Sequence, residues 1–143
     1  MEVRDPIAFG QHHAGILAHT GPMPEVHQAL GGLVVLINLV AGAWGLLVHR
    51  GRLQPSKPFE QVLALSHTVI VGQAAIGLLL LMSRHRAPVS LHYIYGLAPA
   101  GAVLFAYSAR GEEPRRNILV FAVIALVAAA FAARAFMTGK GWG

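Results

Sequence analysis

Cysteine is absent from the 143-residue chain, and charged side chains make up only 12% of it. The absence of cysteine excludes disulfides, thiolate chemistry, iron–sulfur clusters and covalently attached c-type haem. The shortage of charge, beside an apolar content of 55%, excludes a disordered chain and is atypical of a soluble domain. Four windows contain no Asp, Glu, Lys or Arg at all: 28–48, 61–83, 87–109 and 117–133.

Each charge-free window is long enough to cross a bilayer as a helix. A hydrocarbon core about 30 Å thick needs roughly 17–25 apolar residues in helical form. Helices are required because lipid offers no hydrogen-bond partner to an open backbone. We therefore predict an all-α integral membrane protein. A polar N-terminal tail (1–23) precedes four expected spans, 24–48, 59–83, 88–108 and 115–137.

Short connections and basic helix ends define the expected topology. Short connections favour sequential helices lying side by side, in an up-down-up-down four-helix bundle. Basic residues such as Arg50 and Arg52 lie at the ends of spans, where headgroups anchor them, so the net charge of +5 does not imply nucleic acid. The side of the first and third loops carries six Lys or Arg and the other side five. We predict a bacterial-type inner membrane protein, and this bias favours placing its termini on the non-cytoplasmic side.

Two histidines at membrane depth are the main candidate ligands. His27 and His92 lie one turn or so inside the first and third predicted helices. In an up-down bundle these helices run in the same direction and are diagonal neighbours, so the two rings would face each other across the core. Gly31 and Gly96 each follow one turn later and leave room for a flat ligand. Two imidazoles on opposite sides of a flat ring are the axial ligands of a six-coordinate haem b, so we predict that His27 and His92 bind haem iron.

The remaining polar residues at membrane depth allow other interpretations. Each histidine could instead be solvated or hydrogen-bonded near the headgroups. His49 and His67, near the opposite membrane face, form a second candidate ligand pair. Asn38 and Gln73 are expected to be structural, because an unpaired amide near the bilayer midplane is costly; we predict that they lie in the interior and hydrogen-bond each other.

Three segments, in order, resemble one four-helix half of the haem A synthase family. They are Glu25–Gly31, which leads into the span ending at His49, then Gly72–Gly77, then Leu91–Ala98. That family has a ligand histidine opening one helix, Gln-x-x-x-Gly on the next and a histidine opening the third. The resemblance implies a bundle that holds a b-type haem between two histidines. It does not extend to the family's oxygenation chemistry, which needs a second half, since four helices are predicted here instead of eight.

The sequence favours a small membrane b-type cytochrome with haem b as its cofactor. Such a protein would transfer electrons as a subunit of a respiratory or photosynthetic complex rather than act as a stand-alone enzyme. Its expected partners are membrane lipid and other membrane subunits, with a quinone as a candidate and nucleic acid excluded. The alternative is a haem-free accessory or assembly subunit that packs against larger membrane proteins through its small-residue faces.

Overall fold

The structure, a computed structural model, describes residues 22–140 and forms four helices there. They are α1 (Pro22–His49), α2 (Lys57–Met82), α3 (Leu91–Ser108) and α4 (Pro114–Gly139). Between residues 22 and 140 there is no strand, which confirms the predicted all-α class for that part of the chain. The predicted tail lies outside the described residues, except for its last two positions, which already belong to α1.

Three of the helices are long and apolar enough to cross a membrane, which supports the prediction of a membrane protein. The candidate spans are Met23–His49, Lys57–Met82 and Pro114–Gly139. α3 has only 18 residues, so it covers about 27 Å at 1.5 Å per residue. Its first turns also carry the polar side chains of His92, Tyr93 and Tyr95.

Proline and glycine set several helix ends. Pro58 and Pro114 stand in the first turns of α2 and α4, where a missing amide hydrogen costs nothing. Beyond α1, Gly51 has a φ of +71°, and the amide of Arg52 donates to the carbonyl of Leu47 at 2.9 Å. This left-handed glycine after the last turn terminates α1 where the sequence predicts.

The start of α3 differs from the sequence prediction. We expected Pro88 to open the helix, but the helix begins at Leu91. The amide of His92 donates to Val89 O at 3.0 Å, so the chain enters through tight turns rather than a regular α-helical turn. The hydroxyl of Tyr93 accepts the amide hydrogen of Ala87 at 3.0 Å and holds the preceding loop in place.

α4 packs against α1 and α3, while α2 packs against α1 and only lightly against α3. The α1–α4 interface is built from small residues. A Cβ added to Gly45 would lie 2.7 Å from the Cβ of Ala122, and one added to Gly42 would lie 2.6 Å from Cγ of Leu126. The two backbones therefore approach closely, as is common between membrane helices. α4 buries Ala122, Ala125, Ala128, Ala129, Ala132 and Ala135.

All four helices contribute to the apolar core. Its buried cluster consists of Val34, Ile70, Val103, Ala128 and Ala132. Contacts at one end of α1 join His49 to Arg115 of α4 and Trp44 to Phe59 of α2. Contacts at its other end join Gly31 to Phe136 of α4 and His27 to Gly77 of α2. The beginning of α1 therefore lies beside the ends of α2 and α4.

Candidate functional site

A cavity of about 410 Å³ lies where α1 and α3 begin and α2 and α4 end. This volume falls within the range of about 300–1,000 Å³ that is usual for small-molecule and cofactor sites. Every helix contributes to the walls, which are mainly apolar. The wall residues that matter for its chemistry are His27, Gly31, Gln73, Gly77, His92, Gly96, Ala135 and Gly139, and Glu25, His85 and Arg86 also line it.

His27 and His92 meet in this cavity. His27 lies in the second turn of α1, and His92 is the second residue of α3. Their ring centroids are 6.0 Å apart and their planes are inclined at 71°. Both residues are half-buried. The structure thus brings together the two histidines that the sequence singles out.

Its hydrogen bond fixes the tautomer of the His92 ring. Nδ1 of His92 lies 2.8 Å from the carbonyl oxygen of Ala135 on α4. A carbonyl can only accept, so in the neutral ring Nδ1 carries the hydrogen and donates it. Nε2 is then the unprotonated nitrogen, with a lone pair available to a metal ion.

In the described part of the chain, His27 has a hydrogen bond to its backbone but none to Nδ1 of its ring, in contrast to His92. Its carbonyl oxygen accepts a hydrogen bond of 2.9 Å from Nε2 of Gln73, which ties α1 to α2. Its ring nitrogen Nδ1 is buried and has no hydrogen-bond partner among residues 22–140. The amide oxygen Oε1 of Gln73 is also buried and unpartnered within that range. An incomplete hydrogen-bond arrangement of this kind calls for an explanation, because buried polar atoms are normally paired.

Glycines allow both rings to approach neighbouring helices. A Cβ on Gly77 of α2 would lie 3.1 Å from Cε1 of His27, and a Cβ on Gly139 of α4 would lie 3.1 Å from Cε1 of His92. Gly31 and Gly96, the glycines predicted from the sequence, also line the cavity. A Cβ on Gly31 would lie 3.3 Å from Nε2 of Gln73, whereas one on Gly96 would meet nothing within 4 Å.

Ala135 and Gly139 are absent from the set of predicted site residues. No residue of α4 is among the predicted site residues, yet α4 provides the carbonyl partner of His92 and the glycine beside that ring. A backbone acceptor has no signature in a sequence. The available signal was Gly139 itself, a lone glycine that ends an alanine-rich helix.

The second candidate pair is not arranged like the first. Nδ1 of His49 lies 3.1 Å from the carbonyl oxygen of Arg115. Nδ1 of His67 lies 3.2 Å from the hydroxyl of Tyr107, and its ring also contacts Phe121 at a centroid distance of 5.6 Å. The structure gives these two histidines separate partners.

The predicted hydrogen bond between Asn38 and Gln73 is wrong. Asn38 is fully buried, but its Nδ2 donates to Val34 O of its own helix at 2.9 Å. Gln73 is half-buried and reaches His27 instead. Contact of Gln73 with the beginning of α1 leaves Asn38 about three turns further along that helix, so the two amides lie at different depths.

Between residues 22 and 140 no group of three or more His, Asp or Glu side chains is placed to hold a metal ion.

On α4, the cation Arg134 lies over the ring of Tyr95 at 5.6 Å from its centroid.

No protein-family model, curated protein or solved structure matches the chain. The resemblance to one half of haem A synthase is therefore a hypothesis that depends on its short motifs.

Proposed function

We propose that the protein is a small membrane b-type cytochrome that binds one haem b between His27 and His92 and transfers electrons. The observation that carries this proposal is the 6.0 Å separation of the two ring centroids inside a cavity walled by all four helices. Two imidazoles that share one metal ion through bonds of about 2 Å have ring centres about 6 Å apart. The separation of the rings therefore supports His27 and His92 as the two residues that would hold the iron.

The surrounding atoms fit a metal-bound pair better than two structural histidines. His92 already donates Nδ1–H to a carbonyl and presents Nε2, which is the usual arrangement of a metal-ligating histidine. The His27 ring has no hydrogen bond at its buried Nδ1 in the described part of the chain, so that nitrogen is not already committed to a structural partner. Because the chain contains no cysteine, the haem would be held without covalent attachment.

Haem iron supplies reversible one-electron chemistry when it is bound. The chain's own residues provide the ligands, exclude water and orient the rings. Val34, Ile70 and Ala132 give the cavity apolar walls. Arg86 and His85 also line the cavity and would supply hydrogen-bond donors for acidic groups of a cofactor. Low polarity around the iron and the hydrogen bonds of its ligands are the two features through which this chain would set the reduction potential.

We further propose that α3 also spans the membrane and that the bundle has up-down-up-down topology. The contacts of α1 with α2 and α4 support opposite directions for these neighbours. The contacts between α3 and α4 likewise support opposite directions. Tyr107 near the end of α3 contacts Phe121 in the first half of α4, and His92 at the start of α3 contacts Ala135 near the end of α4. α1 and α3 then run in the same direction, as diagonal bundle partners must.

Absorbance spectroscopy of the purified protein tests the haem proposal. The reduced protein is expected to show the sharp bands of a low-spin haem at one haem per chain. His27→Ala and His92→Ala should each abolish this spectrum, because the iron is no longer six-coordinate when either histidine is removed. His67→Ala is the matched control, since His67 is also half-buried but has partners of its own. A haem-free wild type, or loss of haem in His67→Ala with a silent His27→Ala, would contradict the proposal.

One observation favours a second candidate, a haem-free accessory subunit. In α2, only 11% of the most apolar window is buried inside the chain, compared with 33% in α1 and 39% in α4. Such a face could pack against a larger membrane protein. The same spectrum separates the two functions, because an accessory subunit would purify with a partner and without haem absorbance.

A further inference from the structure

Two unpartnered atoms of the cavity belong to residues that already touch. Nδ1 of His27 and Oε1 of Gln73 are buried and have no hydrogen-bond partner among the described residues. The same two residues are joined by the 2.9 Å hydrogen bond from Nε2 of Gln73 to the carbonyl oxygen of His27. Their chemistry is complementary, because an amide oxygen only accepts and an imidazole Nδ1 can donate.

The orientation of the Gln73 amide is determined by its observed contact. Exchanging the nitrogen and oxygen would place Oε1 against the carbonyl of His27, and two acceptors would then face each other. Nε2 is therefore fixed on the backbone of His27, and Oε1 is the atom left for another donor. Oδ1 of Asn38 is also buried without a described partner, but an amide oxygen only accepts, so it cannot pair with Oε1 of Gln73.

We infer that Gln73 is the positioning residue of His27: Oε1 accepts the Nδ1 hydrogen of His27 when Nε2 of that ring binds iron. This inference rests on the proposed function. It gives both ligands the same support, since Nδ1 of His92 already donates to the carbonyl oxygen of Ala135. An imidazole that binds a metal through one nitrogen almost always donates its other N–H to such an acceptor, which fixes the ring and raises its basicity.

The strength of this acceptor should appear in the reduction potential of the haem. Gln73→Met keeps a long side chain but removes the acceptor, so His27 becomes a weaker donor to iron, and the potential should rise. Gln73→Glu replaces the amide with a stronger acceptor, so the potential should fall below that of the wild type. In Gln73→Met, haem affinity should also decrease by about 10–100-fold. Gln61→Met is the matched control, because Gln61 is exposed on the same helix.

The measurement is a redox titration of each purified variant, with haem content and thermal stability determined on the same samples. Opposite shifts in Gln73→Glu and Gln73→Met, with Gln61→Met unchanged, are the expected result. If Gln73 acts only as a backbone tether, both variants lose stability and keep the wild-type potential, which overturns the inference and leaves the cytochrome proposal standing. If Gln73→Met binds no haem, a wild-type potential in Gln73→Glu overturns it equally. A wild type without haem overturns the proposed function instead, and this inference with it.

Discussion

His27 and His92 share one cavity, but their residue-level environments differ. His92 is restrained by the carbonyl of Ala135 and by the close approach of Gly139. The His27 ring lies against Gly77, and its Nδ1 has no partner in the described chain. The structure therefore shows one imidazole already oriented and one whose orientation depends on packing. Changes beside His27 should accordingly affect ligand geometry more than changes in the open parts of α2.

Gly77→Ala tests this dependence. The new Cβ would lie 3.1 Å from Cε1 of His27, closer than most side-chain contacts, so the ring must move by a few tenths of an ångström. We expect haem affinity to fall by about tenfold, as is typical when the support of a metal ligand is disturbed. Titration of haem into the apoprotein measures the effect.

Gly72→Ala is the control for this prediction, because it lies on the same helix and a Cβ there would meet nothing within 4 Å. It should bind haem as the wild type does. Equal affinities in the two alanine variants would show that the His27 ring is not restrained by Gly77.

The sequence predicts those candidate residues that are identified by their position along a predicted helix. It does not predict contacts that depend on how one helix is shifted along another. His27 and His92 stand near the starts of two charge-free windows, which is visible in the sequence. The partner of Gln73 depends on how far α2 slides along α1. Packing of Trp44 against Phe59 and of His27 against Gly77 fixes that register, and neither contact has a local sequence pattern.

At the scale of elements, the close approach of α1 and α4 depends on small side chains. Gly45 and Ala122 meet where any added atom would overlap, since a new Cβ on Gly45 would lie only 2.7 Å from the Cβ of Ala122. Both positions are buried. The neighbouring approach of Gly42 to Leu126 is equally close, at 2.6 Å for an added Cβ.

Gly45→Ala should therefore destabilise the bundle, by about 1–3 kcal/mol on the scale of overpacked cores. Gly32→Ala, on the same helix but exposed and free of neighbours within 4 Å, should instead be neutral or stabilise by about 0.5–1 kcal/mol, because alanine favours helix more than glycine does. Thermal unfolding in detergent compares the two. A neutral or stabilising effect of Gly45→Ala, like that expected of Gly32→Ala, would mean that α1 and α4 are not in close contact at Gly45.

Helix positions could be predicted from the sequence more accurately than helix contacts. Charge-free windows and flanking prolines locate all four helices, because both reflect the local chain and the lipid around it. The start of α3 is the exception. There, the hydroxyl of Tyr93 accepts the amide hydrogen of Ala87 in the preceding loop, and the helix begins at Leu91 rather than at Pro88.

At the scale of the whole molecule, the packing is uneven. α4 is enclosed by α1 and α3, whereas α2 packs on α1 and makes few contacts with α3. α3 also carries highly exposed apolar side chains, including Leu104 at 72% and Ile94 at 63%. Apolar side chains on this scale are covered by lipid or by a partner in a membrane protein. The position of α3 in the bilayer is therefore the point on which the proposed topology depends.

The absence of cysteine allows a direct test of that topology. Gln54→Cys, Ser83→Cys and Glu112→Cys each introduce a single thiol at an exposed position in or beside one of the three loops. A membrane-impermeant maleimide added to intact cells should give positions 54 and 112 the same result, either labelled or protected, and should give position 83 the other result. The small excess of basic residues beside the first and third loops predicts that only position 83 is labelled from outside.

Labelling of 54 and 112 with protection of 83 would keep the up-down order and reverse the orientation. If α3 does not cross the bilayer, positions 83 and 112 will instead fall on the same side. His27 and His92 would then still share the cavity, because their contact depends on packing against α2 and α4 and not on membrane depth. The haem proposal and the topology proposal are thus separable: spectroscopy tests the ligand pair, and thiol labelling tests whether α3 carries His92 into a spanning helix.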